Sequence, residues 1–227
     1  MSTVPLFDPR RIPVVGTDAH LPRVQPQTLQ PQALQGRFAG AHVWTPELLS
    51  EPRFLERLPV DAAVLVPLVL RDAGLTVLLT ERTAELSSHS GQIAFPGGKK
   101  DPQDADSVAA ALREAEEEIG LQRAFVDVLG SLPVYTTGTG FMVTPVVALV
   151  RMGFALQPNP HEVADVFEVP LDFLMDPANH RRHAVDWAGA RREWFSMPYV
   201  EGEGTVERFI WGATAGMLRN LYRFLLD

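Results

Sequence analysis

No cysteine occurs among the 227 residues of the chain. That absence removes disulfides, thiolate zinc sites and cysteine nucleophiles together. A basic excess is also missing: the formal net charge is −8. Broad nucleic-acid binding normally needs a basic face, and an electrostatic membrane anchor needs clustered lysine and arginine, so neither partner is expected. The best apolar run, Ala62 to Leu70, contains Pro67 and is too short to span a bilayer. The opening residues hold Asp8, Arg10 and Arg11 among prolines, with no apolar stretch of signal-peptide type. The expected location is cytoplasmic. His161, His180 and His183 show no metal-ligand spacing.

What is present is a chain 46% apolar, long enough for one good core or a core plus an appendage. Residues 1–43 read as a Pro/Gln-rich arm and 44–227 as the domain. The arm has prolines at 5, 9, 13, 22, 26 and 31 and no periodic apolar residues, which predicts extended or irregular backbone on the surface. A second role for it, as a contact arm in a homodimer, stays open. Thr45-Pro46 reads as the opening of a short helix through about Phe54. Strands are expected at Asp61 to Leu70, Leu75 to Thr80, Ile93 to Phe95, Phe125 to Val134, Phe141 to Val150, Val163 to Val169, Arg192 to Tyr199 and Glu207 to Ile210. A helical turn fits Leu171 to Met175, and a closing helix fits Ala213 to Leu226. Mixed strands with a mid-chain and a terminal helix predict an α/β sandwich, with a helix on each side of a mixed sheet.

The mid-chain helix is the informative one. After a cap at Asp106 or Ser107, Val108, Leu112, Ala115 and Ile119 form one apolar stripe, and Gly120 is a natural stop. Inside it Arg113 precedes Glu114, Glu116, Glu117 and Glu118. Like charges one helical turn apart repel by about 0.2–0.5 kcal/mol per pair, and the helix C-terminus disfavours anions. Local rules broken this densely usually serve a site. A divalent cation removes the conflict, because hard cations take several carboxylate oxygens. Glu114, Glu117 and Glu118 have the spacing to share one face, and Glu116 reads as solvated charge.

The run Arg113-Glu114-Ala115-Glu116-Glu117-Glu118-Ile119-Gly120-Leu121 resembles the second half of the Nudix box, R-E-U-x-E-E-x-G-U, with U apolar. Gly97-Gly98 matches its glycine end. One spacing departs. From Gly98, five residues lead to Asp104, and eight rather than seven then lead to Arg113. The loop is one residue longer, with aspartate in place of the box glutamate, and the role of Asp104 is left open. Upstream, Leu78-Leu79-Thr80-Glu81-Arg82, continuing through His89-Ser90-Gly91 to Phe95-Pro96-Gly97-Gly98, resembles the signature of the coenzyme A pyrophosphatase subfamily. Thr83 stands where that signature has serine or alanine.

The resemblance implies a Nudix-type α/β/α sandwich and a hydrolase dependent on Mg²⁺ or Mn²⁺. Its substrate would be a small molecule, coenzyme A or a derivative, cut to 4′-phosphopantetheine and adenosine 3′,5′-bisphosphate. Glu114, Glu117 and Glu118 are the implied metal ligands. Arg113 is the residue that orients them by charge-assisted hydrogen bonds. Glu117, or a downstream acid such as Glu162, is the candidate for activating water. Arg82, His89, Gly97, Gly98 and Lys99 are the candidate substrate contacts, the cations facing phosphates, with Lys100 beside them. Tyr135 and Phe141 are candidates to stack on adenine. Plainer readings stand beside these: Arg82 as a structural ion pair, His89 as a loop histidine, Lys99 and Lys100 as solvated charges, Glu162 as a surface glutamate, and Ile210 to Ala215 as packing.

Three rivals follow. One is a Nudix pyrophosphatase acting on ADP-ribose, a dinucleotide or a nucleoside triphosphate. The second is a non-catalytic nucleotide-binding Nudix module, which the intact R-E-x-x-E-E argues against. The third, the isoprenoid diphosphate isomerase branch, uses a cysteine that this chain lacks.

Overall fold

A computed structural model describes residues 8–52, 58–83, 91–187, 190–202, 204 and 206–226. In chain order the strands and α-helices are β1 (Val14–Thr17), α1 (Pro31–Ala39), β2 (Val60–Arg71), β3 (Gly74–Arg82), β4 (Ile93–Ala94), β5 (Gly97–Lys99), α2 (Ser107–Ile119), β6 (Val126–Ser131), β7 (Tyr135–Thr136), β8 (Phe141–Val150), β9 (Val163–Pro170), α3 (Leu171–Leu174), β10 (Arg181–Trp187), β11 (Ala190–Glu201), β12 (Val206–Trp211) and α4 (Gly212–Leu226).

The central sheet runs β4-β3-β2-β8-β6, with β5 beside β2, β7 beside β8 and β9 beside β3. β2 and β8 are parallel and the other pairs antiparallel, so the sheet is mixed. Its middle strands bury both faces, which is why they read as continuous apolar runs. Ala63, Leu65 and Val69 of β2, with Val146, Ala148 and Val150 of β8, pack on Ala110, Ala111, Leu112, Ala115 and Ile119 of α2. Ala62, Val66 and Leu68, with Val143, Val147 and Leu149, face a second cluster built with Leu218, Leu221 and Leu225 of α4. The α/β sandwich with a mixed sheet between helices is the observed architecture.

Three local expectations are corrected. The described part of the arm, residues 8–43, is extended or irregular only in part and is not a loose appendage: β1 pairs with β10 at the edge of a second, four-stranded sheet β1-β10-β11-β12, and a helix, α1, opens on Pro31. Val24, Leu29 and Leu34 are buried in the α4-side core. Three anchors spaced this widely make no period, so composition alone hid them. Residues 45–52 form no helix. Ser50 bridges Thr136, and Leu48 is held through both its backbone N–H and carbonyl by the Asn220 side chain. Phe54 lies outside the described residues. No element is expected from sequence at Arg181–Trp187, where β10 forms; Arg182 on it makes a two-bond bridge to Asp18, at 2.7 and 3.0 Å.

Candidate active site

The faces of α2 are set by its ends and its stripe. The Asp106 carboxylate accepts from the Ala109 N–H at 2.8 Å, and Gly120 ends the helix in the left-handed region at φ 70°. With the alanine and leucine stripe against the sheet, Glu118 is carried inward to 5% exposure. Glu114 is half-buried, while Glu116 and Glu117 lie in solvent. The single working face expected for Glu114, Glu117 and Glu118 is therefore split, with Glu117 on the outer side.

Gly97 and Gly98 explain why two of these carboxylates settle where they do. β5 runs against β2, pairing Gly98 with Ala63 and Gly97 with Val64. A Cβ on Gly97 would stand 2.4 Å from the Ala63 carbonyl oxygen, and one on Gly98 would stand 2.6 Å from the Glu114 carboxylate. Only glycines leave room for the strand and for Glu114. The Gly97 N–H donates to Glu118 Oε2 at 2.9 Å.

Arg113 uses all of its donors. Nη1 bonds Glu114 at 3.0 Å and Glu117 at 2.9 Å, Nε and Nη2 bond the two oxygens of Asp104 at 3.0 and 2.9 Å, and Nη2 also reaches the Lys99 carbonyl at 3.2 Å. Asp104 thus has a definite place as the anchor of Arg113. Its carboxyl is held below the usual range by the Arg113 hydrogen bonds first, then by the Asp101 N–H.

Negative charge in this pocket is under-compensated. Burial pushes the Glu118 carboxyl up to about 7, opposed by the Gly97 N–H and Arg82 and reinforced by Glu114 and Glu162. Burial also raises Glu114, against the pull of Arg113 and with the push of Glu117 and Glu162. Glu162 comes from the turn before β9. That turn is fastened to the end of α2 by Asn159 N–H to the Glu118 carbonyl, 2.8 Å, and to β3 by Thr83 N–H to the Glu162 carbonyl, 3.0 Å. Among the described residues no three acidic or histidine side chains already stand as a closed ligand cluster. Even so, a buried carboxylate facing two others, with a glycine cradle beside it, is a donor set suited to a hard divalent cation.

The other expected contacts separate. Arg82 Nη1 lies 3.8 Å from Glu118 Oε1. Lys99 is exposed and, with Asp61, Lys100, Asp101, Pro102 and Asp104, lines an open cleft of about 410 Å³. His89 lies outside the described residues. Tyr135 is no stacking platform: it is 3% exposed, its hydroxyl donates to Glu51 at 3.3 Å, and α4 presses on it through Gly216. Phe141 packs against the α4-side core. His180 and His183 are buried in structural hydrogen bonds with Arg219, the Leu174 carbonyl, Ser196 and the Ile12 carbonyl.

The model of the NUDIX domain matches residues 59–197. The chain belongs to the Nudix family. It is 41% identical over 175 residues to NudL of Photorhabdus laumondii, described as an uncharacterized Nudix hydrolase, covering 77% of this chain and 90% of that one. With NudL of Citrobacter koseri it shares 43% over 164 residues, 71% of this chain and 80% of that one. A solved Nudix hydrolase of M. smegmatis, RenU, is similar at 25% identity and TM-score 0.44, covering 61% of this chain and 85% of that one. The Nudix match takes in β5 with its two glycines, α2 and the turn bearing Glu162. No described helix is long and apolar enough to cross a membrane.

Sequence reasoning missed two features of this Nudix site. One is Asn159, whose side chain donates to Glu162 at 3.2 Å while its backbone caps α2. Asn-Pro-His-Glu is a turn signal, but nothing in it indicates which helix the turn meets. The other is the partner of Arg82: an ion pair is one of its two readings, but nothing in the sequence indicates that the carboxylate is Glu118.

Proposed function

We propose that this Nudix protein hydrolyses the pyrophosphate bond of coenzyme A or a derivative with the help of Mg²⁺ or Mn²⁺, releasing 4′-phosphopantetheine and adenosine 3′,5′-bisphosphate. The observation that carries the reaction class is Glu118, a buried carboxylate that faces Glu114 and Glu162 with Arg82 as its nearest cation. A divalent cation bound there supplies the missing charge, lowers the pKa of a coordinated water and disperses charge on the phosphates. Glu114 and Glu118 are the residues that would hold it. Glu117 would join only by giving up its bond to Arg113.

Arg113 is the positioning residue. Its bonds to Asp104 fix the guanidinium, and the guanidinium fixes Glu114. Glu162 is the better placed proton acceptor, since its charge is felt at both Glu114 and Glu118, whereas Glu117 is solvent-exposed and engaged. As the water oxygen bonds to one phosphorus, the bridging P–O bond breaks and the water proton leaves to Glu162. The Leu78 to Gly98 stretch supports the choice of coenzyme A, and the exposed Lys99 supports an anionic substrate.

The test is a panel of coenzyme A, ADP-ribose, NADH and nucleoside triphosphates, incubated with Mg²⁺ or Mn²⁺ and separated by chromatography. Release of adenosine 3′,5′-bisphosphate from coenzyme A is expected. Brisk cleavage of ADP-ribose without that product would replace the substrate assignment while keeping the reaction class.

A further inference from the structure

Arg82 differs from the other arginines around the central sheet. Arg113 has every donor engaged, Arg208 bonds Glu81, Glu201 and Asp165, and Arg71 grips Glu168 with two nitrogens. Among the described residues Arg82 makes one ion contact, to Glu118 at 3.8 Å. That is well beyond the 2.7–2.9 Å of a charge-assisted hydrogen bond. Its Nε is buried with no hydrogen-bond partner among the described residues. A buried unpaired donor in a native structure calls for a reason, and a partner that arrives later is one.

The backbone of Arg82 is nevertheless fixed. Its N–H donates to the Gln92 carbonyl at 3.0 Å, and its own carbonyl accepts from the Gly91 N–H at 3.1 Å. The β3–β9 register shifts between Glu81 and Arg82, which turns the side chain out of the regular ladder. So a rigid stem presents a loosely held guanidinium at the mouth of the carboxylate pocket.

We propose that Arg82 is the site's own counter-ion, standing on Glu118 until a divalent cation takes that carboxylate and then presenting its guanidinium to a phosphate oxygen of the substrate. This rests on the reading of Glu118 as a cation ligand. The chemistry is an exchange of ion pairs with no covalent step. Planar guanidinium suits both partners, since carboxylate and phosphate each offer paired oxygens to its fork. The consequence is order: the cation frees the arginine, and the arginine then favours the anionic substrate.

Mn²⁺ affinity in the absence of substrate, measured from the free-Mn²⁺ electron paramagnetic resonance signal, tests this. Arg82→Gln removes the competitor and is expected to bind Mn²⁺ about two- to fivefold tighter, the upper part of the range set by a partly exposed ion pair. Arg82→Lys keeps the charge and is expected to return to wild-type affinity. With coenzyme A, Arg82→Gln should raise KM more than it lowers kcat. In the unaltered protein, Mg²⁺ should move the ¹⁵N resonances of the Arg82 guanidinium toward those of free arginine, a readout that does not depend on any variant folding. Equal or weaker Mn²⁺ binding by Arg82→Gln, or guanidinium resonances that ignore Mg²⁺, would overturn the exchange and leave the metal reading intact. If wild type binds no Mn²⁺ at all, both fall together.

Discussion

Replacing Glu118 by glutamine is expected to make the cation-free protein more stable and the enzyme inactive. The argument starts from burial. An unfolded glutamate titrates near 4.5 and Glu118 near 7, because burial outweighs the Gly97 N–H and Arg82 while Glu114 and Glu162 add repulsion. A folded-state value above the unfolded one means stability that is complete below 4.5 and is lost as pH rises through 7. At 1.36 kcal/mol per pH unit, that interval places about 3 kcal/mol as the ceiling on what the ionised carboxylate costs at pH 8. Glutamine keeps a carbonyl for the Gly97 N–H but leaves Arg82 without its contact, which returns about 1 kcal/mol. A net gain of about 1–2 kcal/mol converts to roughly 2–8 °C in Tm for a chain of this size. The assay is thermal unfolding by circular dichroism in EDTA at pH 5 and pH 8. Glu118→Gln should melt above wild type at pH 8 and level with it at pH 5. Added Mn²⁺ should raise wild type, by linkage to the folded state, and leave the variant where it was. Turnover should fall more than about a hundredfold, since loss of groups one step removed from a metal already costs 10–100-fold. A variant that melts at or below wild type at pH 8, or a gap that is the same at both pH values, would refute the reasoning.

The remaining predictions probe the supports of the site. Gly98→Ala sets a methyl 2.6 Å from the Glu114 carboxylate, the movable end of a side chain, so stability should change by less than about 1 kcal/mol while Mn²⁺ affinity and kcat both drop. Urea melts paired with Mn²⁺ titration check this. Asp104→Asn breaks the two-bond grip on Arg113 and should cost about 10–100-fold in kcat, with partial return in Asp104→Glu. Full activity in the asparagine variant would remove Asp104 from the machinery. Far from the site, Asp18 is 1% exposed and pairs with Arg219 at 2.9 Å as well as with Arg182. Glu47 still neutralises Arg219, so Asp18→Asn should destabilise by about 3 kcal/mol, the low end for breaking a buried pair. Leu34→Ala, at a fully buried position of α1, should cost about 2–5 kcal/mol. Near-zero values for both by urea unfolding would mean the arm does not belong to the cooperative core.

How much of this was legible depended on whether the signal was local. α2 could be placed almost residue for residue, because cap, stripe and stop all lie within one stretch from Asp106 to Gly120. β2 and β8 were legible for the same reason, as apolar runs dense enough to bury both faces. The arm and β10 were not. Val24 and Leu34 depend on a core assembled from distant strands, and β10 is a strand because it ladders with β11 and β1, while Arg182 on it pairs with Asp18, far away in sequence. At the site, sequence grouped Glu117 with Glu114 and Glu118 by helical spacing. Spacing gives no measure of how strongly Arg113 competes for Glu117, nor of how deeply the stripe pulls Glu118 inward.

The loop before α2 departs from the box spacing and still delivers a carboxylate to the box arginine. Relative to the usual pattern, the loop before α2 gains one residue and loses one methylene, with aspartate for glutamate. Asp104 closes a tight turn, its N–H donating to the Asp101 carbonyl at 3.0 Å while the Asp101 N–H donates to Asp104 Oδ2 at 2.8 Å. That turn stiffens the extra length and brings the shorter carboxylate up to Nε and Nη2 of Arg113. Asp104 meets the guanidinium at 3.0 and 2.9 Å. The turn from Asp101 to Asp104 is part of how this chain positions its carboxylates, so Asp104→Glu should keep the charge beside Arg113 but not the full two-bond geometry, which is why its return of activity is expected to be partial.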